Sequence, residues 1–307
     1  LREADYFLNQ GFTDLVYAVC ITPDKLDVVA ALVERGAELK IITDNLAVAE
    51  AISNHPGSHR VLIEIDCGEH RTGVVADSPS LNEMAAAVER SGRSKILGVL
   101  THAGHSYATR TPDAAAVIAE AERVAAVTAG ERLREAGFET PIISVGSTPT
   151  ATHGVTFDGV TEVRPGVYVF QDMFQVGIGS CSINALALSV LASVIANNRD
   201  RGTLMLDAGG LALSKDRSTS NSDFDAGFGQ IADLSGAILP GLRVNSVHQE
   251  HGEVLVEDPA LFAKLTVGTK VRVFPNHACM TAAAYEVYNV IDGGFEVVDQ
   301  WERCNGW

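Results

Sequence analysis

The sequence predicts an α/β protein: a (β/α)8 barrel, N-terminally incomplete in this chain, over residues 1–176, followed by a mainly antiparallel β domain over residues 177–307. Two observations predict it. Up to about residue 176, short β-branched runs alternate with Ala-rich helical runs, the rhythm of parallel strands joined by crossover helices. Beyond that point strand-like pieces follow one another between Gly and Asp turns, and helical periodicity almost disappears, as in antiparallel sheets. No Ser/Gly-rich linker separates the two parts.

Six strands read in order from the first part: "DLVYAV", "LKIITD", "VLIEID", "ILGVLTHA", "PIISVG" and "TEVRPGVYVF". The helices between them are punctuated. Thr22 and Pro23 open "TPDKLDVVAALVERG" and Gly36 closes it. Ser80 and Glu83 stand at capping-box spacing in "SPSLNEMAAAVERSG", and a long amphipathic helix runs from Pro112 to Gly137. The second part offers "INALALSVLASVIA", "GTLMLDAGG", "HGEVLVE", "TKVRVFPNHACM", "EVYNVIDGG" and "FEVVDQW" as strands. A barrel of this kind has eight strands. The chain starts on Leu1 in what reads as mid-helix, so two strands are expected upstream of it; an open six-stranded sheet is the alternative.

Charge and cysteine content narrow the partners. With 23 basic against 39 acidic side chains the formal charge is -16, which argues against a nucleic-acid partner. Cys20, Cys67, Cys181, Cys279 and Cys304 are odd in number and scattered, unlike a disulfide framework, and suit a reducing, cytoplasmic location. The most apolar stretch, "INALALSVLASVIA", is too short for a membrane span of about 20 residues and carries Asn184, Ser189 and Ser193.

Reactive groups of a barrel lie just past its strands. Four such places are polar: "EIDCGEHRTG" with Asp66 and Arg71, "LTHAGHSYAT" with His102, His105 and Tyr107, "SVGSTPTATHG" with Ser147 and Thr148, and "EVRPGVYVFQD" with Arg164, Gly166 and Val167. "VGSTPT" offers backbone N–H groups and hydroxyls to a phosphate, though a plain polar turn reads the same way. Each histidine alone is as readily structural, and Arg71 as readily a loop ion pair. Their common placement at one end of the barrel points to a pocket.

In "FPNHACMT", His277 and Cys279 are two apart, and on a strand they would share one face and one ion. Two ligands do not make a structural zinc site, and the chain has no CxxC to complete one. A pair with open positions suits a catalytic ion; a buried free cysteine beside a strand histidine is the alternative. His251 in "QEHGEV" is a candidate neighbour.

Taken in order, "EIDCGEHRTG", "THAGHSY", "VGSTPT", "EVRPGVYVF", "DAGGLALSKD", "QEHG", "PNHAC" and "CNGW" resemble the D-serine dehydratase family, pyridoxal phosphate enzymes of alanine-racemase-like fold. The resemblance spans essentially the whole chain. It implies a cofactor-binding barrel, a C-terminal β domain and a homodimer. It also implies that Thr148, beside Ser147, and the backbone of Gly166 and Val167 hold the phosphate of pyridoxal 5'-phosphate. Tyr107 falls on a further cofactor-contact position, His102 lies against the pyridine ring, and Arg71 and Arg164 border the cofactor. His277 and Cys279 match the family's Zn2+ pair.

Two departures stand out. Leu100 occupies a position where many relatives have tyrosine, which implies an altered contact to cofactor or substrate. The family's Schiff-base lysine, in a Pro-His-x-Lys-Thr-His context, has no counterpart among the six lysines and is expected upstream of Leu1. The implied activity is elimination of the β-hydroxyl from a D-3-hydroxy amino acid such as D-serine, giving a 2-oxo acid and ammonia. D-threo-3-hydroxyaspartate dehydratase and D-threonine aldolase are the rival activities, and Cys279 favours a dehydratase over an aldolase, which generally offers His-x-Asp to a harder ion. A binding protein that keeps the phosphate site without the lysine is the reading from outside enzymology.

Overall fold

The computed structural model describes residues 1–220 and 224–306. Two compact units emerge, Leu1–Gly166 with the residues from Cys304 onward, and Val167–Arg303. The division precedes the expected boundary at 176 because the stretch after Gly166 is tied into the β unit: Phe174 N donates to the Asn276 carbonyl at 3.1 Å and Ala278 N to Asp172 Oδ2 at 2.8 Å.

In the first unit α1 (Arg2–Asn9) leads to β1 (Asp14–Cys20), α2 (Leu26–Glu34), β2 (Glu38–Thr43), α3 (Leu46–Asn54), β3 (Arg60–Ile65), α4 (Ser80–Glu89) and β4 (Lys95–Thr101). Then come α5 (Pro112–Glu135), β5 (Ile142–Val145), α6 (Thr148–His153) and β6 (Glu162–Val163). All strand pairs are parallel and the order is β1-β2-β3-β4-β5-β6. A sequential order without reversal is that of a barrel wall; a doubly wound sheet reverses at a switch point. The six expected strands are all present. The last is only two residues long, since Pro165 supplies no N–H to continue a ladder.

Side chains alternate across this sheet as its period of two requires. Val61, Ile63 and Ile65 of β3 join Ile41, Val99 and Met84 in the layer under the helices, while Leu62 meets Ile42 and Leu100 on the inner face. On α5 the buried positions Ala115, Ala119, Glu122, Ala126, Ala129 and Leu133 recur every three or four residues. Thr111 caps that helix by accepting from Ala114 N, and Gly137, at φ +93°, follows its end. The capping box expected at Ser80 and Glu83 does not form: Pro79 holds the N-cap position, and the N–H of Ser80 donates to Ser78 Oγ. Thr22 caps with no side-chain bond; a 3-10 turn, Pro23–Lys25, leads into α2.

The second unit contains α7 (Met173–Gly177), β7 (Val190–Asn198), β8 (Thr203–Leu206), α8 (Gly210–Leu213), β9 (Gly229–Ala232), β10 (Ile238–Val247) and β11 (Gly252–Leu255). It continues with α9 (Leu261–Lys264), β12 (Lys270–Pro275), α10 (Ala278–Ala282), β13 (Val287–Ile291) and β14 (Val297–Glu302). Six antiparallel strands close a barrel in the order β10-β11-β8-β7-β12-β9, and β13 and β14 form a separate hairpin. Val194, Leu204, Leu206, Val244, Val254 and Val273 fill the core. "INALALSVLASVIA" is strand only from Val190; Ile183–Ala185 is a 3-10 turn. Strands β9 and β10 escape the sequence reading because Pro240 and Gly241 interrupt the alternation, at a register shift between Ile238 and Arg243. No helix of the described residues is long and apolar enough to cross a membrane.

Candidate active site

Parallel strands deliver their following loops to one end of the sheet, so four expected groups share it. After β3, Asp66 Oδ1 accepts from Gly68 N at 2.8 Å and His70 N at 3.0 Å, and Oδ2 faces His70 Nδ1 at 2.7 Å. Burial raises the Asp66 carboxyl, but these bonds outweigh it and hold it below its ordinary range. Arg71 lies beside Glu69 at 3.5 Å, half-exposed, and Glu69 reaches the loop after β4 by accepting from Gly104 N at 3.2 Å.

His102 follows β4 and donates from Nδ1 to the Gly146 carbonyl at 2.6 Å, a bond that places a hydrogen on Nδ1 and fixes the ring. Its ring lies 6.3 Å from that of Tyr107, tilted by 35°. After β5, Ser147 makes a true capping box with Thr150: Ser147 Oγ accepts from Thr150 N, and Thr150 Oγ1 accepts from Ser147 N. Ser147 Oγ also bonds Ser106 Oγ at 2.8 Å. That hydroxyl is thus engaged in holding the loop. Its neighbour differs: Thr148 Oγ1 is buried and has no hydrogen-bond partner among the described residues.

Arg164 turns inward. Nη2 donates to the Thr101 carbonyl at 2.6 Å and Nη1 to the Val145 carbonyl at 3.2 Å and to Ser144 Oγ. Burial lowers its pKa, against the opposing charges of Glu162, Glu122 and Glu64. A Cβ built at Gly166 would meet no atom within 4 Å, so space opens beside that backbone; Val167 begins a 3-10 turn. The buried orphan hydroxyl and the open glycine fit a phosphate acceptor group.

Lys40 and Lys95 lie at the opposite rim, in the first halves of β2 and β4, and Lys25 donates to Tyr17 Oη at 3.2 Å. None takes the place of the expected lysine. Cys20, Asp44 and Glu64 bring three ligand-type atoms within 4.8 Å of one another, a group absent from the sequence reading. Burial, then the hydrogen bond to Glu64, pushes the Cys20 thiol well up.

In the second unit β12 stops at Pro275, and His277 and Cys279 do not share the face of a strand as expected. His277 is the N-cap of α10 and Cys279 lies in its first turn. Asn276 fixes the change of direction, donating from Nδ2 to Thr219 Oγ1 and to the Gly227 carbonyl, both at 2.7 Å. His277 Nδ1 meets Asp216 Oδ2 at 2.6 Å, while the ring also hydrogen-bonds Cys279. Burial pulls the imidazole down, but the bonds to Cys279 and Asp216 and the charges of Cys279 and Asp172 outweigh it and hold its pKa up at about 9. Asp216 is raised by burial and lowered more by the bonds from His277 and Ser218.

A carboxylate on one ring nitrogen orients the other toward a metal and raises its basicity. Imidazole beside an exposed thiol suits zinc, and no third His, Cys, Asp or Glu of the described residues completes a three-ligand group with them. His251 precedes β11 in a turn where its carbonyl accepts from His248 N. Asp216 and Glu122 went unmarked in the sequence. Asp216 ends the segment "DAGGLALSKD" without being singled out there, and Glu122 is the one charged residue on the buried stripe of α5.

Comparison with known proteins agrees with this architecture. Residues 14–173 match the family model "Alanine racemase, N-terminal domain", and residues 187–291 match "Putative serine dehydratase domain". The chain is 43% identical to D-threo-3-hydroxyaspartate dehydratase of Delftia sp. (strain HT23), over 100% of this chain and 83% of that protein. It is 29% identical to D-serine dehydratase of Dictyostelium discoideum, over 100% and 81%. Among solved structures, a Cys-to-Ala variant of D-threo-3-hydroxyaspartate dehydratase in the metal-free form superposes with TM-score 0.94 at 42% identity, over 100% of this chain and 83% of that one. The chain therefore belongs to the D-serine dehydratase family of alanine-racemase-like fold.

Proposed function

We propose that the protein is a pyridoxal phosphate- and zinc-dependent dehydratase that removes the β-hydroxyl of a D-3-hydroxy amino acid, D-serine or D-threo-3-hydroxyaspartate, to yield a 2-oxo acid and ammonia. The observation that carries this reading is the Asp216–His277 pair at 2.6 Å with Cys279 beside it. Two solved variants of D-threo-3-hydroxyaspartate dehydratase, one losing a histidine and one a cysteine, are substituted at positions two apart, as His277 and Cys279 are. That spacing supports the assignment.

In this reading Thr148 Oγ1 and the backbone of Gly166 and Val167 hold the phosphate, and Ser147 keeps their loop in shape. His102 lies against the ring with Tyr107 beside it, and Arg71 and Arg164 border it. Pyridoxal phosphate, when bound, supplies an electron sink for the carbanion at the substrate α-carbon. His277 and Cys279 would hold zinc, whose Lewis acidity suits a hydroxide leaving group. Asp216 holds Nδ1 of His277, so the other ring nitrogen would be the one offered to the metal, in place of its hydrogen bond with Cys279. A homodimer in the cytoplasm accompanies this reading, supported by the family resemblance and by five unpaired cysteines; light scattering in solution tests the dimer.

The test is an assay of the full-length protein on D-serine, D-threonine and D-threo-3-hydroxyaspartate, with ammonia and aldehyde measured in parallel. Ammonia without aldehyde is expected, lost on chelation and restored better by zinc than by magnesium. Aldehyde as the main product makes the protein an aldolase and overturns the proposal.

A further inference from the structure

Glu122 is 2% exposed, and it stands among alanines on the face of α5 that packs on the sheet. A carboxylate at such a place is costly unless its oxygens are engaged. One oxygen, Oε1, accepts two backbone donors, Ala103 N and Gly146 N, both at 2.9 Å. Ala103 follows His102 and Gly146 precedes Ser147, so a single atom ties the loop after β4 to the loop after β5. The Gly146 carbonyl in turn accepts from His102 Nδ1 at 2.6 Å, which closes a ring of bonds through both loops. Gly146 itself is held at φ +140°, and a Cβ there would come within 2.5 Å of Arg164 N, so the strand end admits only glycine.

We infer that Glu122 is the positioning residue of the candidate cofactor site: its buried Oε1 sets the relative placement of the two loops and through them the orientation of His102 and Thr148. The inference rests on the cofactor reading above. Charge-assisted bonds to backbone N–H are stronger than neutral ones, so one carboxylate oxygen can clamp both loops. Ala103 and Gly146 would otherwise bury their N–H groups without partners.

The full-length wild type, Glu122→Ala, Glu122→Asp and Glu122→Gln are compared by backbone hydrogen exchange and by titration with pyridoxal 5'-phosphate, followed by fluorescence. Glu122→Ala is expected to speed exchange around residues 102–104 and 146–148 selectively and to weaken cofactor binding about tenfold, the equivalent of one hydrogen bond. Glu122→Gln keeps an oxygen acceptor and is expected to stay within about threefold of wild type. If the alanine variant does not fold, Glu122→Asp, one methylene shorter, shows the same local pattern. Exchange raised evenly over the unit with cofactor affinity unchanged would make Glu122 a packing residue and overturn the inference. A wild type that takes up no cofactor instead overturns the functional reading on which the inference stands.

Discussion

The loops after β4 and β5 and the turn after β12 solve different problems of placement. In the first unit, parallel strands bring His102, Thr148 and Arg164 to one end, and the loops need only to be held once there. In the second, His277 and Cys279 come together through a helix start that breaks the strand, and the partner of the imidazole, Asp216, comes from far along the chain. The candidate cofactor site is thus a product of topology, and the proposed metal pair one of local geometry and a distant carboxylate. The first should tolerate loss of a single contact better than the second.

Mutations can break or sharpen that contrast. The largest effect is expected for Cys279→Ala, which removes half of the pair: metal content should vanish and ammonia release fall by more than about a hundredfold, while cofactor binding persists. Unchanged turnover would remove the metal from the reaction. Asp216→Asn should cost about ten- to a hundredfold in zinc affinity, measured by competition with a chelating dye, because the imidazole loses the anion that orients it.

Thr148→Val is a milder and two-sided test. Cofactor affinity should drop about tenfold, yet the cofactor-free protein should gain up to about 1 kcal/mol in denaturant unfolding, since an unpartnered buried hydroxyl is removed. Loss of stability with unchanged affinity would assign that hydroxyl to packing.

A last effect is confined to acid and lies away from both sites. Burial first, then the charge of His55, holds the His59 pKa down at about 4 against 6.5. The unfolded chain therefore binds the extra proton as pH falls below 6.5, so stability is complete above that value and is lost progressively down to about 4. His59→Gln should flatten unfolding free energy over that window by about 3 kcal/mol. A profile identical to wild type would show that His59 titrates normally.

Much of this was legible beforehand, for identifiable reasons. The six parallel strands and α5 follow from β-branched runs, the Ala-rich amphipathic stretch from Pro112 and terminal Gly137, signals that act over a few residues. The polar segments past the strand ends were readable because parallel topology assigns them an address before any contact is known. What failed was local geometry under tertiary control. "NHAC" continues a strand in pattern, but Asn276 is locked by Thr219 and Gly227, and the chain turns into α10. Nothing in the sequence marked the Ser147 hydroxyl as engaged by Ser106 and Thr150. Strands β9 and β10 stayed hidden because their pairing tolerates a bulge at Pro240 and Gly241 that no period of two survives.

By itself the sequence determined an α/β unit followed by a β unit, the family resemblance, and the residue types available for a phosphate and a soft metal. These depend on periodicity and side-chain chemistry, which are properties of short stretches. Only the tertiary structure decided which hydroxyl is left without a partner, which carboxylate faces His277, and that Glu122 joins two loops through one oxygen. Those depend on hydrogen bonds between residues far apart in the chain, and a buried donor or acceptor takes whichever partner the packed fold brings within reach.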